Sequence, residues 1–231
     1  ELTVWLVLDR SASMTVGPPG RGKHDVLSEL ALVLARLFGR GGNRVGALLY
    51  DTGLNSTGAV RIVPPGTGRR HALRIGAELA RTADAGRAGG GQYGSTTDLA
   101  AMLDAVAKLA RRRALVVVVS DFIGDGDWGR SLLRLVLRHE VVALRVVDAA
   151  DDELPDVGLV VVEDAETGEQ LVIDSSDPLL RTRLRARVEE RDTSLAAGMR
   201  RAGVPIHRIG TDADLATALI EVVASTQRRR A

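Results

Sequence analysis

The sequence predicts an α/β fold: a doubly wound, mostly parallel central sheet with helices on both faces, and an added β-hairpin. Three observations point there. Strand-like apolar runs alternate with helical segments along the whole chain, which implies a parallel sheet covered on both sides. Residues 2–8 and 114–120 are apolar runs with little polar alternation, as in strands buried on both faces. Each of these two runs stops at an aspartate, Asp9 or Asp121. In open α/β sheets that end of a strand faces the ligand crevice.

The first strand runs into Asp9-Arg-Ser-Ala-Ser13. A glycine-rich connector, Gly17 to Lys23, leads to a helix over residues 25–38, closed by Gly39-Arg-Gly-Gly42. Residues 44–50 read as the second strand and 59–63 as a short one stopped by Pro64-Pro65, the pair forming an antiparallel edge hairpin. A helix follows over 69–81, then a glycine-rich stretch, 85–94, expected to be a mobile surface loop. Ser95-Thr-Thr-Asp98 opens a helix to residue 110, ahead of the strand that ends at Asp121. A helix over 128–138 and a strand over 140–147 come next. Residues 148–156 form an acidic stretch, read as a solvated loop rather than a second metal site. Residues 158–163 and 170–173 read as a hairpin around 164–168. A long charged helix over 178–202, a strand over 205–209 and a helix over 212–225 finish the chain.

Composition limits the function. The chain has 231 residues, the size of one large α/β domain, with 31 basic and 30 acidic side chains and a net charge of +1. That balance gives no support to bulk nucleic-acid binding. The arginine runs at 111–113 and 228–230 are read as solvating a helix end and the terminus. The absence of cysteine excludes disulfides, zinc-thiolate sites and thiol catalysis. No run approaches the ~20 apolar residues of a membrane helix. The chain starts at Glu1 and enters a core strand almost at once, so it reads as a piece cut from a longer protein.

Three loops carry oxygen donors: Asp9, Ser11 and Ser13; Thr96, Thr97 and Asp98; and Asp121. One anionic and two neutral oxygens in Asp-x-Ser-x-Ser form a hard donor set suited to Mg²⁺. The same residue types also suit a turn capping a helix. If the two apolar strands are neighbours, their loops converge at the point where the strand order reverses.

This pattern resembles a von Willebrand factor A domain with a metal-ion-dependent adhesion site. The resemblance implies Mg²⁺, or Mn²⁺, bound at Asp9, Ser11, Ser13, Thr97 and Asp121. Thr97 is preferred over Thr96 because Thr97-Asp98-Leu99 matches a run common in one branch of that family. Ser120-Asp-Phe122, His139-Glu-Val-Val142, Asp148, Glu153-Leu-Pro-Asp-Val-Gly158 and Asp164-Ala-Glu-Thr-Gly168 resemble the bacterial domain-of-unknown-function fifty-eight family over nearly the whole chain. That resemblance implies a non-enzymatic protein–protein interaction domain, an adaptor or assembly factor working with a MoxR-type AAA+ ATPase. The serines and the threonine would bind the ion directly and the aspartates through water. A partner's acidic side chain would complete the shell. It also implies a cytoplasmic location, or tethering to the membrane by an upstream segment.

The rival reading is nucleotide binding through Gly17-Pro-Pro-Gly-Arg-Gly-Lys23, nearly a phosphate-binding loop. His24 stands where a Ser or Thr should meet Mg²⁺, and seven residues separate Asp9 from Gly17 where the strand should feed the loop directly. On the adhesion-site reading the loop is a connector ahead of a helix, and Lys23→Ala should leave metal binding nearly unchanged. A dehalogenase-type phosphatase would need an acid two residues after Asp9, where Ser11 stands. The four histidines show no paired metal-ligand spacing.

Overall fold

The computed structural model describes residues 2–15, 21–51, 59–88, 97–124, 127–163 and 169–228. Strand β1 (Thr3–Asp9) is followed by a 3-10 turn (Ala12–Thr15) and helix α1 (Lys23–Arg40). Then come β2 (Arg44–Asp51), β3 (Ala59–Gly66), α2 (Gly68–Ala88), α3 (Leu99–Leu109), β4 (Leu115–Ser120) and α4 (Gly129–Val136). The remainder is β5 (Glu140–Val147), α5 (Ala149–Asp152), β6 (Leu159–Glu163), β7 (Gln170–Asp174), α6 (Pro178–Ala202), β8 (Ile206–Gly210) and α7 (Leu215–Arg228).

Among the described residues, six strands form the main sheet in the order β3-β2-β1-β4-β5-β8, and β6-β7 form a separate hairpin. All pairings in the main sheet are parallel except β2 with the edge strand β3. The order reverses between β1 and β4, so the crevice expected of a doubly wound sheet opens at the C-terminal ends of those two strands.

Alternation along β1 divides the core into two layers. Val4, Leu6 and Leu8 pack with Val26, Leu27 and Leu30 of α1, Ile75 of α2 and Leu219 of α7. Trp5 and Val7 point the other way, toward Met102 of α3, Leu132 of α4 and Met199 of α6. Both sides of each central strand are therefore removed from water, which is why their sequences lack polar alternation. Burying one Leu or Val side chain contributes about 1.5–3 kcal/mol, so this sheet needs no metal to hold it.

Two local expectations are corrected. The edge strand does not stop at Pro64-Pro65; β3 continues to Gly66, with a register shift opposite Val45 and Ala47. Proline lacks an N–H, and an edge strand with an irregular ladder can do without one. Residues 85–88 are helical, because α2 reaches Ala88. The rest of the glycine-rich stretch lies outside the described residues, as do Thr96 and the hairpin turn 164–168.

The long helix is bounded as its sequence implies. Asp177 accepts from the Leu179 N–H at 2.8 Å, Pro178 opens the helix, and Gly203 closes it in the left-handed conformation at φ 68°. No helix among the described residues is long and apolar enough to cross a membrane.

Candidate metal centre

Parallel pairing sets Leu8 beside Val119, which brings Asp9 level with Ser120 at the end of β4. Neighbouring strands lie about 4.8 Å apart, within side-chain reach. Ser120 Oγ donates to Asp9 Oδ2 at 2.5 Å and accepts from the Phe122 N–H at 2.9 Å. The other Asp9 oxygen, Oδ1, accepts from the Ser11 N–H at 3.0 Å. This local turn leads into the 3-10 turn, where Met14 N–H donates to the Ser11 carbonyl at 3.1 Å. The turn brings the hydroxyls of Ser11 and Ser13 together, sharing a hydrogen bond of 3.0 Å. Asp9 and Ser11 are fully buried and Ser13 nearly so.

The third loop is shaped by an unusual backbone. Phe122 has φ 56°, a conformation that costs a non-glycine residue about 1–3 kcal/mol and is kept only where the surroundings impose it. Its N–H is held by Ser120 Oγ, and its ring lies against Trp128 with centroids 6.4 Å apart. Asp121 Oδ1 accepts from the Ile123 N–H at 3.0 Å. Gly124 then passes so close to the second loop that a Cβ there would lie 2.5 Å from the Thr97 carbonyl oxygen. That contact draws buried Thr97, just ahead of α3, to the same cluster. Asp98 faces outward and caps α3, accepting from the Ala101 N–H at 2.8 Å.

Asp9, Ser11, Ser13, Thr97 and Asp121 thus gather at one end of the sheet, on the three loops expected. Four further residues shape the cluster and were not foreseen. Ser120 and Gly124 hold the loops. Lys23, the first residue of α1, is fully buried, and its Nζ lies 3.0 Å from Asp121 Oδ2 and 3.0 Å from each carboxylate oxygen of Asp151. The connector expected up to Lys23 is corrected at its end: α1 starts at Lys23, which turns its ammonium inward. A solvated acidic loop is corrected too. Within residues 148–156, α5 carries Asp151 to Lys23, and Asp148 is buried and accepts from Thr211 Oγ1 at 2.7 Å.

The carboxyls of Asp9 and Asp121 lie near each other in a buried place. Burial pushes the Asp9 carboxyl up to about 7, and the neighbouring charge of Asp121 pushes the same way. Hydrogen bonds from Ser120 and Ser11 only partly offset this. The oxygen-only donor set of two serines, a threonine and two aspartates fits Mg²⁺ or Mn²⁺.

Residues 1–194 match the family described as "Protein of unknown function DUF58". Uncharacterized protein Rv1480 of Mycobacterium tuberculosis (strain ATCC 25618 / H37Rv) is 38% identical over 229 residues, covering 99% of this chain and 68% of that protein. Uncharacterized protein MAV169 of Mycobacterium avium is 38% identical over 133 residues, covering 57% of this chain and 77% of that protein. Among solved structures, conserved hypothetical protein BatB from Bacteroides thetaiotaomicron is similar with a TM-score of 0.56 at 11% identity, over 100% of both chains. An aerotolerance-related membrane protein from Bacteroides fragilis NCTC 9343 gives 0.51 at 13% identity, covering 90% of this chain and 92% of that one. At such identities the two structures share the fold alone. The chain has a von Willebrand factor A-like α/β fold and belongs to the DUF58 family.

Proposed function

We propose that the chain is a protein-recognition domain whose partner is bound through a divalent cation, Mg²⁺ or Mn²⁺, at the end of β1 and β4. Ser11, Ser13 and Thr97 would offer neutral oxygens, while Asp9 and Asp121 balance the charge from close by. Such an ion would supply an electrophilic point for an acidic side chain of the partner. The observation that carries the reading is the Asp9-Ser11-Ser13 turn. Its two hydroxyls lie 3.0 Å apart, and Ser120 fixes the buried carboxylate beside them.

The chain's own residues do the positioning. Ser120 orients Asp9, the Ile123 N–H orients Asp121, and Gly124 lets the Thr97 loop pack against the loop that follows Asp121. The role proposed is recognition without catalysis. A MoxR-type AAA+ ATPase is the proposed partner, on the strength of the family resemblance alone. Nucleotide binding through Gly17 to Lys23 gains no support, since the Lys23 ammonium faces three carboxylate oxygens.

The test is a titration of a MoxR-type ATPase against this chain in Mg²⁺ and in EDTA, with circular dichroism on the same samples. Removing the ion should weaken binding by about 2–5 kcal/mol, as for truncating one member of a buried charge pair, without unfolding the domain. Equal affinity in both buffers would refute the bridging role.

A further inference from the structure

Lys23 is the least expected member of the cluster. A hard-cation site needs no fixed ammonium, and a cation at a helix N-terminus opposes the helix dipole. Yet the backbone is fixed to put it there: Gly22 caps α1, with its N–H donating to Asp25 Oδ2 at 3.0 Å. The ammonium is fully buried and shared between two carboxylates with different attachments. Asp121 belongs to the candidate metal centre. Asp151 belongs to α5 and is held separately, its Oδ2 also accepting from the Asp148 N–H at 3.1 Å. The next residue, Asp152, is paired with Arg208 of β8 and lies 3.6 Å from Arg191 of α6. α5 is therefore pinned on both sides, to the site through Asp151 and to the sheet edge and α6 through Asp152.

A divalent ion beside Asp121 and an ammonium 3.0 Å from Asp121 Oδ2 would be like charges in a dry pocket, where repulsion is far stronger than in water. We propose that Lys23 is a built-in competitor for the divalent ion. Its ammonium neutralises Asp121 while no ion is bound and transfers its pairing to Asp151 when one arrives, so α5 sets the affinity of the site. This inference rests on the metal-centre reading above. The exchange is a rearrangement of ion pairs, with no bond made or broken.

Mn²⁺ titrations followed by loss of the free-ion electron paramagnetic resonance signal test it, on the chain and its Lys23→Met, Asp151→Asn, Lys23→Met/Asp151→Asn and Ser11→Ala/Ser13→Ala variants. Lys23→Met should bind at least tenfold more tightly than the parent. Asp151→Asn, which leaves the Lys23–Asp121 pair as the ammonium's remaining ionic contact, should bind at least threefold more weakly. In the Lys23→Met background the Asp151 change should move affinity less than twofold, because Asp151 acts through Lys23 and not on the ion directly. If Lys23→Met does not fold by circular dichroism, Asp151→Asn carries the test, and unchanged affinity in it overturns the proposal. Equal or weaker binding in a folded Lys23→Met overturns it too, while Ser11/Ser13-dependent binding leaves the metal-centre reading standing. Binding that ignores the serine changes, or is absent from every variant, removes that reading and this inference together.

Discussion

Replacing Ser120 by alanine gives a direct measure of how the candidate site is held together. The hydroxyl does two jobs in a place with no water access, donating to Asp9 Oδ2 and accepting from the Phe122 N–H. A hydrogen bond to a charged group contributes about 1.5–3 kcal/mol, and a stranded buried donor costs about 1–3 kcal/mol. Some of this is recovered, since Asp9 is already pushed up to about 7 and can take a proton. A net loss of about 3 kcal/mol is expected for Ser120→Ala in metal-free buffer, from those two contributions. In a chain of this length that lowers the unfolding midpoint by about 6–12 °C. Thermal and urea unfolding in EDTA provide the assay. In an Asp9→Asn background the charge-assisted part is gone, so the same change should cost about 1 kcal/mol, leaving a coupling of about 2 kcal/mol between the two sites. Strict additivity of the two changes, or a loss below about 0.5 kcal/mol (the usual effect of a change away from any structural feature), would refute the proposed support.

Gly124→Ala should push the second and third loops apart, because its Cβ would meet the Thr97 carbonyl oxygen at 2.5 Å. It should cost about 1–3 kcal/mol in urea unfolding and weaken Mn²⁺ binding, and an unchanged Mn²⁺ affinity would separate Thr97 from the site. His139 is buried with no hydrogen-bond partner on either ring nitrogen among the described residues, and burial, aided by Arg138, lowers its pKa below 6.5. As the pH falls below 6.5 the unfolded chain takes up the proton first, so stability present above that pH is lost on acidification. A His139→Leu variant should show a flatter stability profile between pH 7 and 5, and an unaltered slope there would contradict this assignment.

Much of the sheet was legible because burial on both faces leaves a plain sequence mark. Residues 2–8 and 114–120 could hardly be anything but central strands, and their terminal aspartates, Asp9 and Asp121, located the crevice. Asp177-Pro178 and Gly203 framed α6 for equally local reasons. What sequence reasoning missed depended on tertiary context. Pro64-Pro65 looks like a strand stop until the strand is known to be an edge. Ser120 gave a faint signal, a hydroxyl closing an otherwise apolar run, but its role needs Asp9 level with it on the neighbouring strand. Lys23 was masked by the glycine-rich connector, whose likeness to a phosphate loop drew attention away from the helix it begins. Asp151 was one acid among several in residues 148–156, and only the fold distinguishes it by setting it 3.0 Å from Lys23. Long-range pairs of this kind, 98 and 128 residues apart in the chain, have no local pattern from which to read them.

The proposed function stands or falls with a divalent cation held by Ser11, Ser13 and Thr97 beside Asp9 and Asp121. Crystals soaked in Mn²⁺ and measured at the manganese absorption edge address it most directly. One strong anomalous peak is expected within coordination distance of the Ser11 and Ser13 hydroxyls, absent from the Ser11→Ala/Ser13→Ala protein. A map with no peak between the ends of β1 and β4, or with manganese bound only at other acidic residues, would contradict it.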